Sequence, residues 1–339
     1  MKHHIPLNAL PRSGFTTRAR RTALALTGVP VLIALALSAA GPGQAAQADK
    51  RVDYQAELPK APPAGGSGYF TPPPHGAYPD GPFGAAVKRG EALFTDTQHA
   101  AAAFVGNGLN CSNCHIDAGR HPNSAPLWAA WVSYPAYRKK NDHVNSMEER
   151  LRGCFTYSMN AQASPTGHAP EPGDPLLTDL QAYMYWLAKG APTGEKMPGR
   201  GYPKLAAPPQ PYSPERGAKV YAANCAICHG DDGQGTKLAD GSYAFPPLWG
   251  QDSFNWGAGM HRVNTAAGFI KANMPLGKPD SLSLQDAWDV AAFINHQERP
   301  GDPRNQGDLA ATDAKFHKHQ CYYGEASDHG QILGADSAH

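Results

Sequence analysis

The sequence has little charge and little of the alternation that marks β-strands. Asp, Glu, Lys and Arg make up 17 % of its 339 residues, while hydrophobic types make up 41 %. Long runs in which apolar and polar residues alternate are absent, which argues against an all-β fold. The 32 prolines and 36 glycines are about a fifth of the chain and predict long loops between few helices. The length is sufficient for two ordinary domains, each with its own core.

Acidic residues are missing from the first 48 positions, which carry five Lys or Arg. This basic stretch leads into the apolar run TALALTGVPVLIALALSAA, and Ala46-Gln47-Ala48 then offers a small-x-small cleavage site. The run is long enough for a retained membrane anchor. Pro30 and the cleavage site favour the alternative, a secretory signal peptide over residues 1–48. We therefore expect an exported protein of the periplasm without stable membrane insertion.

A basic surface is also lacking once the signal is set aside. The formal charge falls from +1 for the whole chain to −4 for residues 49–339, which argues against nucleic acid as a partner. All six cysteines remain in this part of the chain, and unpaired thiols tend to oxidise outside the cytoplasm. Each cysteine therefore needs a chemical explanation.

The remaining sequence consists of two related halves. The matches are KRGEALF (88–94) with ERGAKVY (215–221), NCSNCH (110–115) with NCAICH (224–229), and APLWAAW (125–131) with PPLWGQD (246–252). Each half then closes with a predicted amphipathic helix, at 177–190 and 283–297, the second capped by Ser283 with Asp286 three residues on. Four matches in the same order indicate a domain duplication. We predict a Pro/Gly-rich N-terminal segment (49–81), a first domain (82–194), a linker (195–212), a second domain (213–300) and a C-terminal tail (301–339).

Two CxxCH motifs account for four of the cysteines. They comprise Cys111, Cys114 and His115 in the first half, and Cys225, Cys228 and His229 in the second. Two cysteines three positions apart can bind the vinyl groups of one porphyrin as thioethers, and the next histidine is then held under the iron. A zinc site or a redox dithiol would not explain the adjacent histidine. We predict an all-α, loop-rich pair of class I cytochrome c-like domains in tandem, each enclosing one covalently bound haem c. Because haem is attached after translocation, the chain is expected to use the general secretory pathway.

Each iron needs a sixth ligand. In the second half, Met274 lies 45 residues after His229, just before the closing helix. A thioether at this position suits an electron-transfer haem and raises its potential. The alternative is a methionine of the core, with Met260, His261 and Lys271 as substitute ligands.

In the first half, two sulfur atoms compete for this position. Met159 lies 44 residues after His115, which nearly repeats the spacing of the second half, and Cys154 lies 39 residues after it. Basic residues near Cys154 favour its thiolate and could attract a small dianion; they are Arg138, Lys139, Lys140, Arg150 and Arg152. Interspersed acidic residues also permit a solvated basic face. Cys154 could alternatively pair with Cys321 in a disulfide.

The chain resembles a known family, the dihaem cytochrome c thiosulfate dehydrogenases that form tetrathionate. The similarity extends over nearly all of residues 82–297. It is most specific at YPAYRKKNDHVNSMEERLRGCFTYSMN (134–160), with further matches at AAGFIKANMP (266–275) and SLSLQDAWDVAAFI (281–294). The resemblance implies a catalytic first haem, with Cys154 as distal ligand opposite His115, and a second haem that is the electron exit.

The resemblance also implies which residues hold the substrate and the second iron. The family's substrate-site positions fall on Arg150, Ser158, and Lys140 or Arg138. Some members have Lys directly before the distal methionine, where this sequence has Asn273. We therefore expect permanent ligation of the second iron by His229 and Met274.

Taken together, these features predict an enzyme that oxidises two thiosulfate ions to tetrathionate, or catalyses the reverse reaction. Its electrons would pass to a small periplasmic c-type cytochrome or a similar acceptor. The main alternative is a two-haem electron carrier of the c4 type, with Met159 and Met274 as distal ligands and no substrate chemistry. A dihaem peroxidase is a second alternative, and it would need one iron open to peroxide.

Overall fold

The structure is a computed structural model that describes residues 68–139 and 142–335. The predicted signal peptide, much of the segment 49–81, and Lys140 lie outside these residues. Within the described ranges, no helix is both long enough and apolar enough to cross a membrane.

The first half contains six helices among the described residues. They are α1 (Gly81–Thr95), α2 (Thr97–Ala100), α3 (Ile116–Gly119), α4 (Leu127–Trp131), α5 (Met147–Tyr157) and α6 (Pro175–Leu187), with 3-10 turns at Ala102–Phe104, Cys111–Asn113 and Ala161–Ala163. Two short strands, β1 (Ala136–Arg138) and β2 (His143–Asn145), pair in antiparallel fashion just before α5, with Tyr137 opposite Val144.

The second half is also mostly helical. Its elements are α7 (Pro214–Asn224), α8 (Ala226–His229), β3 (Thr236–Lys237), β4 (Tyr243–Phe245), a 3-10 turn at Gly259–His261, α9 (Val263–Asn273) and α10 (Leu284–Asn295), followed by α11 (Leu309–Phe316). Strands β3 and β4 pair in antiparallel fashion. The predicted cap of α10 is confirmed, because the Ser283 hydroxyl accepts the Asp286 N–H at 3.0 Å.

The core of the first half forms where α1 packs on α6. Gly90 permits this close approach, because a Cβ there would lie 2.1 Å from the carbonyl oxygen of Asp179. Beside it, Arg89 binds the Asp179 carboxylate through Nε and Nη2, both at 2.7 Å. The buried side chains between the helices include Val87, Phe94, Leu177, Tyr183 and Leu187.

The second half repeats this contact where α7 packs on α10. A Cβ on Gly217 would lie 2.0 Å from the carbonyl oxygen of Asp289. Arg216 binds the Asp289 carboxylate through Nε at 2.7 Å and Nη2 at 2.9 Å. The match between KRGEALF and ERGAKVY therefore has a structural basis, since the same Arg-Gly pair makes the same interhelix contact in both halves.

Polar contacts join the two halves near the end of α5. The Gly108 N–H donates to the Asp252 carbonyl at 2.9 Å. The Asn255 side-chain amide donates to the Thr156 carbonyl at 2.9 Å and to the Asn160 side chain at 3.1 Å. These bonds hold the last turn of α5 against the loop that precedes α9.

The described part of the predicted C-terminal tail is packed on the second half. It contains α11, and its Tyr323 and Leu333 form a small buried cluster with Trp256. This segment therefore contributes buried contacts to the second half.

Candidate active site

The first CxxCH motif lies in a tight turn held by its neighbours. Asn110 and Asn113 form a reciprocal capping box around the 3-10 turn. The Thr97 hydroxyl accepts the Cys111 N–H at 3.0 Å and donates to the Cys111 sulfur at 3.4 Å. Burial raises the pKa of the Cys111 thiol to about 12 and that of Cys114 to about 11.

The second motif lies directly after a helix. Helix α7 ends at Asn224, Cys225 caps it, and the short α8 carries the rest of the motif. Burial raises the pKa of the Cys225 thiol to about 11. The Tyr221 hydroxyl donates to the Gly230 carbonyl at 2.7 Å, which fixes the turn that follows His229.

Both histidines of the motifs are oriented by the same kind of bond. His115 Nδ1 lies 2.7 Å from the carbonyl oxygen of Ala125, and His229 Nδ1 lies 2.8 Å from that of Pro246. Burial lowers the pKa of His115 to about 4 and also lowers that of His229, so both rings are neutral. An Nδ1–H donated to a carbonyl leaves Nε2 as the free ligand atom.

These observations meet the requirements of haem c. Each motif presents two thiols and a neutral imidazole whose Nε2 is available for iron. All six cysteines fall within the described residues, and none forms a disulfide there. The alternative of a Cys154–Cys321 disulfide is therefore wrong for this structure. The repeated segments APLW and PPLW are explained as well, since each supplies the carbonyl that orients a histidine.

Helix α5 brings Cys154 and Arg150 to the first motif. Ser146 and Glu149 form a capping box at its start, through bonds of 3.1 and 2.7 Å. Because residues four apart share one helix face, Arg150 Nη1 reaches the Cys154 sulfur and donates to it at 2.9 Å. Electrostatic interaction with Cys154 is the main cause that raises the pKa of Arg150, and it adds to the burial that raises the pKa of Cys114.

Met159, the competing sulfur, belongs to the core of the first half. It is 2 % exposed and lies in the same buried cluster as Leu151 and Phe155. Its N–H donates to the Cys154 carbonyl at 3.0 Å, and its carbonyl accepts the Gly106 N–H at 2.9 Å. This burial agrees with the interpretation of Met159 as packing.

The described members of the predicted basic group make different contacts. Among its described members, Arg150 is the one that hydrogen-bonds the sulfur. Arg152 faces another way, and its Nε donates to the Pro170 carbonyl at 2.8 Å. Arg138 is exposed on β1, with its guanidinium 5.8 Å from the centre of the Tyr134 ring. Lys140 lies outside the described residues.

Ser158 lies where α5 ends, close to the reacting region. Its N–H donates to the Cys154 carbonyl at 2.8 Å, and its own carbonyl accepts from the Asn107 side chain at 2.7 Å. These backbone bonds fix the position of Ser158 relative to Cys154.

Tyr202, from the predicted linker, is an additional residue near the site. Its ring meets Phe269 of α9 edge-on, with centroids 5.5 Å apart. Burial raises its pKa well above the usual range, the charge of Cys114 raises it further, and Arg150 opposes this shift. Tyr202 therefore lies between α9 and the groups around Cys154. No sequence pattern indicates it, because a single tyrosine in a Pro/Gly-rich segment carries no periodic signal.

In the second half of the chain, α9 ends directly before Met274. The Met274 N–H donates to the Ile270 carbonyl at 2.8 Å, and its side chain packs against the second core. Two of the substitute ligands are engaged elsewhere. Lys271 binds Asp280, and His261 has both ring nitrogens in contact with other groups, the Ala258 carbonyl and His319 Nε2. Met260 contacts both cores.

Asn273, which precedes Met274, is fixed inside the protein. Its side-chain amide donates to the Asn123 carbonyl at 3.1 Å and to the Phe269 carbonyl at 2.9 Å. The first of these bonds joins α9 to the first half of the chain.

Comparison with known proteins places each half in a cytochrome family. The model of the SoxA/TsdA cytochrome c domain matches residues 89–193, and that of subunit III of cbb3-type cytochrome c oxidase matches residues 213–294. The fold and site thus define a tandem, dihaem c-type cytochrome. This confirms the predicted fold class and the two covalently bound haem c groups.

Whole-chain relatives identify the family. The thiosulfate dehydrogenase of Stutzerimonas stutzeri is 52 % identical over 296 residues, which are 86 % of this chain and 94 % of that protein. The thiosulfate dehydrogenase of Thiomonas intermedia is 50 % identical over 310 residues, which are 89 % and 94 % of the two chains. The solved structure of thiosulfate dehydrogenase (TsdBA) from Marichromatium purpuratum, in its as-isolated form, matches with a TM-score of 0.76 and 51 % identity; it covers 79 % of this chain, which spans 58 % of that one. The chain belongs to the thiosulfate dehydrogenase family. The predicted enzyme class is confirmed, which sets aside the alternative of a carrier without substrate chemistry.

Proposed function

We propose that this enzyme oxidises two thiosulfate ions to one tetrathionate ion with release of two electrons, and that Cys154 is its reacting group. The observation that carries the proposal is the 2.9 Å contact between Arg150 Nη1 and the Cys154 sulfur beside the first CxxCH motif. A guanidinium held against a cysteine sulfur in a half-buried site suits an anionic sulfur substrate. The relatives named thiosulfate dehydrogenase support the choice of substrate.

In this proposal, His115 and Cys154 hold the first iron, and His229 and Met274 hold the second. When bound, the two haems supply one-electron acceptors, with the thiolate favouring a lower potential and the thioether a higher one. Support for Met274 comes from its place at the end of α9 and from the competing partners of His261 and Lys271.

Arg150 binds the sulfonate end of thiosulfate. Its planar fork of N–H donors can hold two oxygens of that group while one donor remains close to Cys154. Its charge offsets the repulsion between two dianions that must meet. Ser158 adds a hydroxyl donor from the end of the same helix. Arg138 and Lys140 supply further positive charge for anion binding.

Cys154 forms the sulfur–sulfur bond that stores the oxidised state. Its thiolate joins the outer sulfur of one thiosulfate, two electrons leave, and the cysteine then carries a thiosulfonate with one negative charge. The outer sulfur of a second thiosulfate attacks the sulfur next to Cys154. Tetrathionate departs with two negative charges, and the thiolate is restored, as in thiol–disulfide exchange.

The test is Cys154→Ala, with Thr156→Ala as control on the same helix. The Thr156 hydroxyl donates to the Arg152 carbonyl of its own helix at 3.0 Å. We expect Cys154→Ala to lose thiosulfate oxidation by on the order of 10³-fold or more, as nucleophile removals do, and to lose a thiolate-ligated low-spin EPR signal. Turnover near the wild-type rate in Cys154→Ala would overturn the proposal.

We further propose that the enzyme works in the periplasm and delivers electrons to a small c-type cytochrome. The support is the pair of CxxCH motifs, since covalent haem attachment follows export, together with the predicted signal over residues 1–48. N-terminal sequencing of the exported protein checks the cleavage site. Steady-state assays with artificial donors and acceptors, run in both directions, determine whether tetrathionate formation or tetrathionate reduction is favoured.

A further inference from the structure

A cluster of four metal-ligating side chains lies where the 3-10 turn before α9 meets the segment after α11. It consists of His261, His317, His319 and Cys321, and one ligand atom of each lies within 4.8 Å of those of the others. Three of these residues form an H-x-H-x-C pattern, whereas His261 comes from 56 residues before His317. The thiosulfate chemistry proposed above uses none of the four.

His261 and His319 direct ring nitrogens at each other. Their Nε2 atoms are 2.9 Å apart. The Nδ1–H of His261 donates to the Ala258 carbonyl, so its Nε2 carries a lone pair. Because His261 is 2 % exposed, this lone pair lies inside the protein, and His319 is the group that faces it.

His317 and Cys321 form the second pair. His317 Nδ1 lies 3.5 Å from the Cys321 sulfur, and its Nε2 lies 2.9 Å from Oδ2 of the buried Asp302. Asp302 is in turn held by Arg304, whose Nε donates to it at 2.8 Å. A carboxylate on the far nitrogen of an imidazole is the arrangement that orients histidine ligands toward a metal.

We propose that these four residues bind one zinc ion as a structural site with three nitrogen donors and one sulfur donor. In a tetrahedral zinc site, with bonds of about 2.0–2.1 Å to nitrogen and about 2.3 Å to sulfur, the donor atoms lie about 3.3–3.6 Å apart. The distances between the donor atoms of the four side chains lie on both sides of this range. Small side-chain rotations therefore bring the four atoms to the separations of a tetrahedral zinc site. Imidazole and thiolate donors select zinc over magnesium or calcium. Four protein ligands leave no open position, which is typical of structural zinc.

The cluster has charges of both signs beside it. Burial, Arg262 and Arg304 lower the pKa of His319, whereas Asp302 and Asp313 are the carboxylates close to His317. A Cys321 thiolate would neutralise one positive charge of the zinc ion, and the Asp302 carboxylate behind His317 lies close enough to offset part of the other. An open groove lined by Leu309, Asp313, His317, His319, Cys321 and Tyr323 gives the ion a path from solvent.

The ion would fasten the C-terminal segment to the start of α9. The N–H of Val263, the first residue of α9, already donates to the Gln320 carbonyl at 2.9 Å. His261 lies two residues before this helix, and Met274 follows its last residue. The zinc site would therefore anchor one end of the helix that leads to Met274.

The experiment uses the full-length dihaem protein, treated with a chelator and then supplied with zinc alone. Elemental analysis measures zinc against the two irons as internal standard, and X-ray absorption at the zinc edge reports the ligands. We expect one zinc for every two irons, three nitrogen neighbours and one sulfur neighbour. Cys321→Ser and His319→Ala should lose the ion, and Asp302→Asn should weaken zinc binding by about 10–100-fold. His329→Ala, at an exposed histidine of the same segment, is the matched control and should bind zinc like the wild type.

Three results would overturn the inference. If the wild-type protein takes up no zinc, the His261 and His319 rings are simply hydrogen-bonded to each other and form no metal site. Full zinc binding by Cys321→Ser, or a zinc-edge spectrum without sulfur, would place the ion elsewhere. If Cys321→Ser fails to fold, the wild-type spectrum and His319→Ala decide the question.

Discussion

The two halves of the molecule share their packing and differ in the helix, and the sulfur-bearing residue on it, that each adds to its CxxCH motif. In each, an Arg-Gly pair joins the opening helix to the closing one, through Asp179 in the first half and Asp289 in the second. In each, a backbone carbonyl orients the histidine of the motif. Helix α5 then presents Arg150 and Cys154, whereas α9 ends at Met274. The shared parts supply the two thiols and the oriented imidazole of each motif, and in our proposal one helix in each half sets the role of its haem.

The strongest test of this comparison is to make the first half a copy of the second. In Cys154→Met, we expect thiosulfate turnover to be abolished, because a thioether cannot form the persulfide-like bond. The potential of the first haem should rise by a substantial part of the roughly 0.8 V that axial ligands span. Spectroelectrochemistry and steady-state assays measure both effects. Met159→Leu is the control. If Met159→Leu changes the haem spectrum while Cys154→Met behaves like the wild type, the distal sulfur is that of Met159 and not that of Cys154.

The next test removes the fork of donors that distinguishes the first half. We expect Arg150→Lys to lower kcat/KM for thiosulfate by about 10–100-fold, since it removes charge-assisted hydrogen bonds of about 1.5–3 kcal/mol. Arg152→Lys changes a residue two positions away that binds the Pro170 carbonyl, and its effect should be about twofold or less. Equal losses in the two variants would show that overall positive charge matters rather than the contact at Cys154.

A third test addresses the shared packing. We expect Gly90→Ala and Gly217→Ala to destabilise the protein to a similar extent, by about 1–3 kcal/mol or more each, because each added Cβ meets a backbone carbonyl at 2.1 or 2.0 Å. At Gly259 an added Cβ meets nothing within 4 Å, so Gly259→Ala is the control. Thermal unfolding of the holoprotein measures all three. If Gly90→Ala leaves the stability unchanged while Gly217→Ala lowers it, the two halves are not packed alike.

The smallest expected effect is a difference between the two ion pairs. The Asp289 side chain is 2 % exposed and also accepts the Ser213 N–H at 2.8 Å, whereas the Asp179 side chain is 14 % exposed. We expect Asp289→Asn to cost about 1.5–3 kcal/mol, because several donors are left facing a neutral group. Asp179→Asn should cost clearly less. Chemical denaturation compares the two variants, and the opposite order would contradict this account of burial.

Features held within a few residues could be predicted from the sequence. The CxxCH motifs specify their own turn, because both sulfurs and the histidine lie within five consecutive positions. The cap of α10 is equally local, and that helix spans Leu284–Asn295 where 283–297 is predicted. The alignment of the two halves is visible because a duplicated packing contact preserves the residues that make it.

The basic residues near Cys154 show where local proximity is not enough. Arg150 reaches the sulfur because it lies one helical turn away on the same face of α5, whereas Arg152 lies on another face and binds Pro170. Nearness in sequence places both arginines beside Cys154, and helix geometry separates them. Met159 has the spacing of a ligand, and the structure buries it in a core.

By itself, the sequence determined the two haem motifs, the duplication and the helices that frame it, since each depends on contacts within a turn or on a repeated pattern. Only the tertiary structure decided which groups from distant segments meet. It brought Tyr202 of the linker to α9 and His261 to the H-x-H-x-C segment. Such contacts depend on how helices far apart in the chain pack together, and no local pattern encodes that packing.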